Sequence, residues 1–206
     1  MARAFSDDVD TYPVLLHVTP PVRWDRVQIL LRVAIFALLA AVGVSVGWLS
    51  CALYLLLPVV AAVLISGRGA EGYLVGPGRD VARVLAWWNA LLAYLLLLTD
   101  RFPLGREEPT PVRFDVVASG HPTVGRALMR LITSLPEAIV LVVLSTVASV
   151  VWLIGAIAVL VDERVPAFAW RYLHFVLELQ ARLLAYHASL VDPYPPLRLP
   201  THAEAP

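Results

Sequence analysis

Long uncharged apolar runs and short polar segments succeed one another along the chain, and the succession occurs twice. Val14, Leu16 and Val18 alternate with Leu15 and His17, and Val112, Phe114 and Val116 alternate with Arg113 and Asp115; both period-2 patterns predict a short strand. Two such strands cannot stand alone, so they are expected to pair, with unpaired extended segments on a membrane surface as the alternative. From Val33 to Gly67 no residue is charged. As one helix at about 1.5 Å per residue that run would measure roughly 52 Å, against about 30 Å of hydrocarbon in a bilayer. The run therefore predicts a hairpin: a helix near Val27–Gly47, a tip at Trp48-Leu49-Ser50 and a return near Cys51–Ile65. Pro58 falls in the returning helix, and the carbonyl it frees needs a partner inside the bundle. The second uncharged run, Ala138–Val161, is short enough to cross once with tilt. The repeat nevertheless predicts a hairpin here too, starting near Val124, passing through Pro136, turning around Ser145–Ser149 and returning to Val161, with a single span as the alternative.

Each run is followed by a turn-rich segment, Ser66–Gly72 in one case and Asp162–Pro166 in the other. A third helix comes next, from about Arg79 to Leu98 and from about Ala167 to Leu190. In the second of these Arg171, His174, Glu178 and Arg182 recur at spacings of three and four, which lines them along one helical face. Such a helix lies in the interface or packs with its polar stripe inward. Breakers end both helices, at Asp100-Arg101-Phe102-Pro103 and Asp192-Pro193-Tyr194-Pro195.

The two halves share wording as well as pattern. Tyr12-Pro13-Val14 returns as Thr110-Pro111-Val112, an offset of 98 positions, and Leu91-Leu92-Ala93-Tyr94 returns as Leu183-Leu184-Ala185-Tyr186, an offset of 92. The fold class predicted is an all-α integral membrane protein of two tandem repeats, residues 12–104 and 110–198. Each would hold a short strand, a transmembrane helical hairpin and an amphipathic interfacial helix. Glu107, Glu108 and Pro109 mark a solvated link between them, and the tail after Arg198 is expected to be unstructured.

Composition fits this placement: 59% of residues are hydrophobic and the mean hydropathy is +0.75. Sixteen basic and sixteen acidic residues cancel, so nothing suggests a nucleic-acid partner. All the basic residues are Arg, which reads as genomic composition. The single Cys51 excludes an internal disulfide or Cys-based metal site. The N-terminal stretch lacks the apolar core of a secretory signal and is expected to stay in the cytoplasm. If both runs are hairpins, every charged residue shares one side, and the concentration of Arg there marks it as the cytoplasmic face, with both termini on it. Trp24, Trp87, Trp88 and Trp170 would form an aromatic belt on that face.

The closing pattern, Leu-Leu-Ala-Tyr followed by Leu-Thr-Asp-Arg-Phe-Pro at Leu98–Pro103, resembles the end of an uncharacterised bacterial membrane family, domain of unknown function 4389. The opening Tyr12–Val18, Leu135-Pro136-Glu137 and Gly67-Arg68 carry the resemblance further. The second half has Asp162-Glu163-Arg164 in place of Gly-Arg, and the first has no Pro matching Pro136. The resemblance implies two copies and a multi-pass topology in a bacterial inner membrane, and no chemistry.

Candidate sites are few. Glu137 beside an apolar run is either an intramembrane functional carboxylate or a helix-start carboxylate favoured by the macrodipole; Asn89 is the other polar residue in such a position. Arg171, His174, Glu178 and Arg182, with Trp87, Trp88 and Trp170, could bind anionic lipid or a partner, although Glu178 and Arg182 also suit an ordinary pair. No cofactor or metal is expected, because His174 and His187 lie far apart on one predicted helix with no His facing them. Gly67, Gly69, Gly72, Gly76 and Gly78 lack the strand and Lys of a phosphate loop and read as a flexible turn. No nucleophile motif surrounds any Ser. The expected role is a non-enzymatic scaffold or accessory subunit of a larger membrane complex, docking a partner subunit or lipid through its cytoplasmic face, with possible self-association. A small transporter or channel is the alternative, and an enzyme has the least support.

Overall fold

The computed structural model describes residues 12–103 and 110–196; the acidic N-terminal stretch, the Glu107-Glu108-Pro109 link and the tail lie outside them. The chain is mostly helical, with one small sheet. Strand β1, Val14–Val18, pairs antiparallel with β2, Val112–Val116, with Leu16 opposite Phe114 at the centre. The expected pairing is thus present. Val14, Leu16 and Val18 are buried, while Leu15, His17, Arg113 and Asp115 are exposed.

Helix α1, Arg26–Ala41, is capped by Asp25, whose carboxylate accepts from the Val27 N–H at 2.9 Å. Gly43, at φ +72°, ends it, and Ser45 caps α2, Val46–Val75. The tip therefore lies at residues 42–45 rather than at Trp48–Ser50, because the left-handed turn falls where glycine permits it and Trp48 belongs to the next helix. Nor do α1 and α2 pack as a hairpin: α1 packs on α5 (Leu135–Asp162), with Phe36 edge-on to Trp152 at 5.4 Å. Helix α4, Val124–Thr133, packs in turn on α2. The predicted turn at Ser66–Gly72 is present in reduced form: the backbone leaves the helical conformation at Gly69, φ +71° and ψ 175°, and α2 is two helical stretches joined by a kink there.

The second run holds no hairpin. Helix α5 passes unbroken through Ser145–Ser149, where Thr146 and Ser149 donate to their own i−4 carbonyls, Val142 and Ser145, and so stay compatible with the helix. The break comes earlier, at Ser134, where Pro136 cannot supply the amide that would continue α4. Charged groups flank α5 at both ends, Arg130 and Glu137 before or near its start, Asp162 and Glu163 at its finish.

Helices α3, Pro77–Leu95, and α6, Ala167–His187, form an antiparallel pair at the centre. Leu190, beyond the end of α6, lies 3.3 Å from where a Gly78 Cβ would stand, and the Trp170 indole N–H donates to the Leu98 carbonyl at 3.4 Å. α6 is buried on nearly every side, so it is the core helix rather than an interfacial one. Trp24, Trp88 and Trp170 are buried as well and form no belt; Trp87 alone of the four is exposed. One hydrophobic core draws residues from both halves.

Candidate functional site

The C-terminal ends of α3 and α6 are built alike. Each closes with a Schellman turn: the Leu98 N–H donates to the Ala93 carbonyl at 2.9 Å, and the Leu190 N–H to the Ala185 carbonyl at 3.2 Å. Leu97 and Ser189 take the left-handed position, at φ +61° and +55°. These side chains do not favour that conformation, so neighbouring contacts must hold it.

Those contacts come from one buried Arg at each end. Arg32 of α1, fully buried, donates through Nε to the Tyr94 carbonyl and through Nη2 to the Thr99 carbonyl, both at 2.7 Å. Nη2 also meets Asp100 Oδ1 at 2.8 Å, and Cζ sits 4.4 Å from the centre of the Tyr94 ring. Arg130 repeats this: Nη1 donates to the Tyr186 carbonyl and, at 3.0 Å, to that of Val191, while Nη2 meets Asp192 Oδ1 at 2.8 Å. Its Cζ is 4.3 Å from the Tyr186 ring centre. A cation at a helix C-terminus is favoured by the exposed carbonyl dipoles, and here the charge, an aromatic face and a carboxylate converge on it. The carboxylates extend each cluster to the segment before the Arg helix. Asp100 Oδ2 accepts the Asp25 N–H at 2.8 Å, and Asp192 Oδ2 accepts the His121 N–H at 3.1 Å.

The Leu-Leu-Ala-Tyr and Asp motifs flagged by the sequence are therefore two sides of these clusters. The arginines themselves were missed, since each looks like the ordinary flank of an apolar run. Their offset of 98 positions, the same as that of the two Pro-Val openings, was the available signal.

Beside the second cluster lies a buried polar knot. His187 donates from Nδ1 to the Tyr54 carbonyl at 3.0 Å, the very carbonyl that Pro58 leaves without an amide. Its Nε2 meets Ser134 Oγ, which also bonds the Tyr54 hydroxyl at 2.8 Å. The Pro58 defect predicted from sequence is thus mended by a residue of α6. Replacing His187 with Ala should cost about 1–3 kcal/mol, and in a Pro58→Ala background, where an amide is restored, about 1 kcal/mol less. Thermal unfolding of the four proteins of this cycle measures the difference; equal costs in both backgrounds would refute the mending role.

The remaining sequence candidates are dispersed. Glu137, in the first turn of α5, is buried, with Oε2 lacking a hydrogen-bond partner. Asn89 is fully buried and donates to the Leu85 carbonyl of its own helix at 2.8 Å. Arg171 is exposed, Arg182 half-buried, and His174 and Glu178 are buried beneath β1 with Trp170 stacked 5.0 Å from His174. The stripe thus packs inward: Arg182 pairs with Glu178 and lies 5.6 Å from the Tyr12 ring. Trp88, Trp170, His174 and Glu178 present no surface to a partner, because packing between α6, α3 and the sheet covers them.

Burial pushes the His174 imidazole down from 6.5 to about 4, with His17 on β1 and Arg182 acting in the same direction. The unfolded chain takes up this proton near pH 6.5 and the folded one does not, so the stabilisation is whole above that pH and is lost as pH falls toward 4. Burial raises the Glu178 carboxyl, against the pull of Arg182, which works in the opposite sense. The His174 contribution is therefore isolated by comparison with His174→Gln. Wild type should lose on the order of 2 kcal/mol more than the variant between pH 6.5 and 4; parallel stability curves would refute it.

These features define a mostly helical protein with two helices, α2 and α5, long and apolar enough to cross a membrane. Residues 125–198, from the first turn of α4 past Asp192, match the family described as Domain of unknown function (DUF4389). No curated protein and no solved structure matches the chain. The matched stretch carries Arg130, Tyr186, Val191 and Asp192 of the second cluster.

Proposed function

We propose that this chain is a non-enzymatic integral membrane scaffold or accessory subunit, built from two tandem copies of one unit, that associates with other membrane proteins and lipid. The observation that carries the reading is the bareness of the apolar helices. Within their most apolar windows only 28% of α2 and 11% of α5 is buried in the protein, whereas a soluble core helix would be covered. Ile139, Val142, Val143, Val150, Ile154 and Ile157 make the outward face of α5 a surface for lipid or a neighbouring helix. The twin clusters support the tandem copies, since Arg, Tyr and Asp meet with like geometry at the same two offsets, 98 and 92 positions, that relate the sequence motifs. Both clusters tie their Arg to carbonyls, an aromatic ring and a carboxylate, which suits a rigid frame more than chemistry.

Purification in mild detergent after alkaline extraction of membranes tests this. The protein should remain in the extracted membrane and elute with a stoichiometric partner. A second reading, a small transporter, rests on Glu137, buried with its Oε2 lacking a hydrogen-bond partner. A lone oligomer whose solute flux Glu137→Gln abolishes would replace the first reading with the second.

A further inference from the structure

The layers of the molecule constrain how it can meet a bilayer. Helix α5 runs antiparallel alongside α6: Ser134 meets His187, the Tyr172 hydroxyl donates to the Leu144 carbonyl at 2.9 Å, and Gly155 faces Val165. The stretch from Ser134 to Gly155 is about 31 Å of helix, as long as the hydrocarbon core is thick. On α6 also lies β1, with Val14 against Ala185 and Tyr186 and Tyr12 over Arg182. Its partner β2 packs on α3. If α5 stood across the bilayer, α6 would stand beside it and the sheet would be held against that pair at membrane depth. Exposed His17, Arg113 and Asp115 and two open sheet edges would then face hydrocarbon, where neither charge nor unpaired backbone is tolerated. Both ends of α5 carry ion pairs, Arg130 with Asp192 at one and Arg26 with Glu163, 3.3 Å apart, at the other, so each end must reach headgroups or water in either orientation.

From this geometry, and resting on the membrane reading above, we infer that α5 lies along the bilayer rather than across it. The acyl chains of a single leaflet cover its outward apolar face, the sheet faces water, and both ends of α5 emerge on the sheet's side.

The test uses the full chain with Cys51→Ser and one new thiol, Arg126→Cys or Arg164→Cys, both at exposed positions flanking α5. A membrane-impermeant maleimide is applied to sealed spheroplasts and to inverted vesicles. Both thiols should react in the same one of the two preparations; reaction in opposite preparations would overturn the in-plane placement and leave membrane association intact. A second measurement is independent of labelling. Nitroxides at Ile139→Cys, Val150→Cys and Val161→Cys, exposed at the start, middle and end of α5, should report one shared depth in liposomes. A probe at Val150→Cys deeper than both others by about half the hydrocarbon core would overturn the proposal. Protein that fails to float with the liposomes would refute the membrane reading and this inference together.

Discussion

Replacing Arg130 with Met should lower the stability of the protein by about 3–5 kcal/mol, the largest effect expected of any single side chain described here. The substitution keeps most of the aliphatic bulk and removes a guanidinium that is almost wholly buried. What it leaves behind sets the cost. The carbonyls of Tyr186 and Val191 lose their donor, and the Asp192 carboxylate loses its counter-ion in a site only partly open to water. Arg130→Lys should recover less than half, because a point ammonium cannot serve two carbonyls and a carboxylate while lying flat over the Tyr186 ring. Adding Asp192→Asn to Arg130→Met should cost less than the separate losses together, since the stranded charge is then gone. Thermal unfolding in detergent reads all of these. A loss below about 1 kcal/mol for Arg130→Met would mean that the cluster is decoration. Arg32→Met, with Asp100 as the stranded partner, should behave in the same way.

Gly120→Ala should be nearly as damaging, although it adds only a methyl group in a loop. An added Cβ would stand 2.0 Å from Asp192 Oδ2, and the backbone there has φ +95°, which disfavours any side chain. Either the loop or the carboxylate must move, and moving the carboxylate breaks both the Arg130 ion pair and the bond from the His121 N–H. The expected loss is about 3 kcal/mol or more. Gly43→Ala is the control: φ is +72° but nothing lies within 4 Å of the new atom, so only the backbone term, about 1 kcal/mol, remains. If the two substitutions cost the same, steric conflict with Asp192 is not what makes Gly120 necessary.

What could be read in the sequence, and what could not, divides along physical lines. Strands β1 and β2 were legible because one buried face imposes a period of two, and the register then follows from matching those faces. The third helix of each half was legible from its flanking breakers. The burial of α6 was legible only as one of two alternatives, since nothing in the spacing of Arg171, His174, Glu178 and Arg182 tells an interfacial stripe from one that packs inward until β1 is laid over it. Turn residues misled at Ser145–Ser149, whose loop composition is overridden by hydroxyls that bond back to the preceding turn, whereas the glycine-rich Gly67–Gly72 does break the helix, at Gly69. Of the candidate site, the Tyr and Asp halves were visible as repeated words. The Arg halves were hidden, because a residue 62 positions away in the chain gives no local sign that it will fill a helix end.

Crossed partnerships between the halves bear on how the protein is made. β1 waits for β2, α1 for α5, and α2 for α4, so the early chain, although it joins α2 to α3 and Arg32 to Tyr94 within itself, leaves its strand and several helix faces to residues synthesised much later. A ribosome that has released residues 12–103 has released a segment with bare apolar faces and an open strand edge, dependent on the insertion machinery or a chaperone until the remainder arrives. Synthesised alone, that half should aggregate or be degraded, and co-expression of residues 110–196 as a separate chain should rescue it.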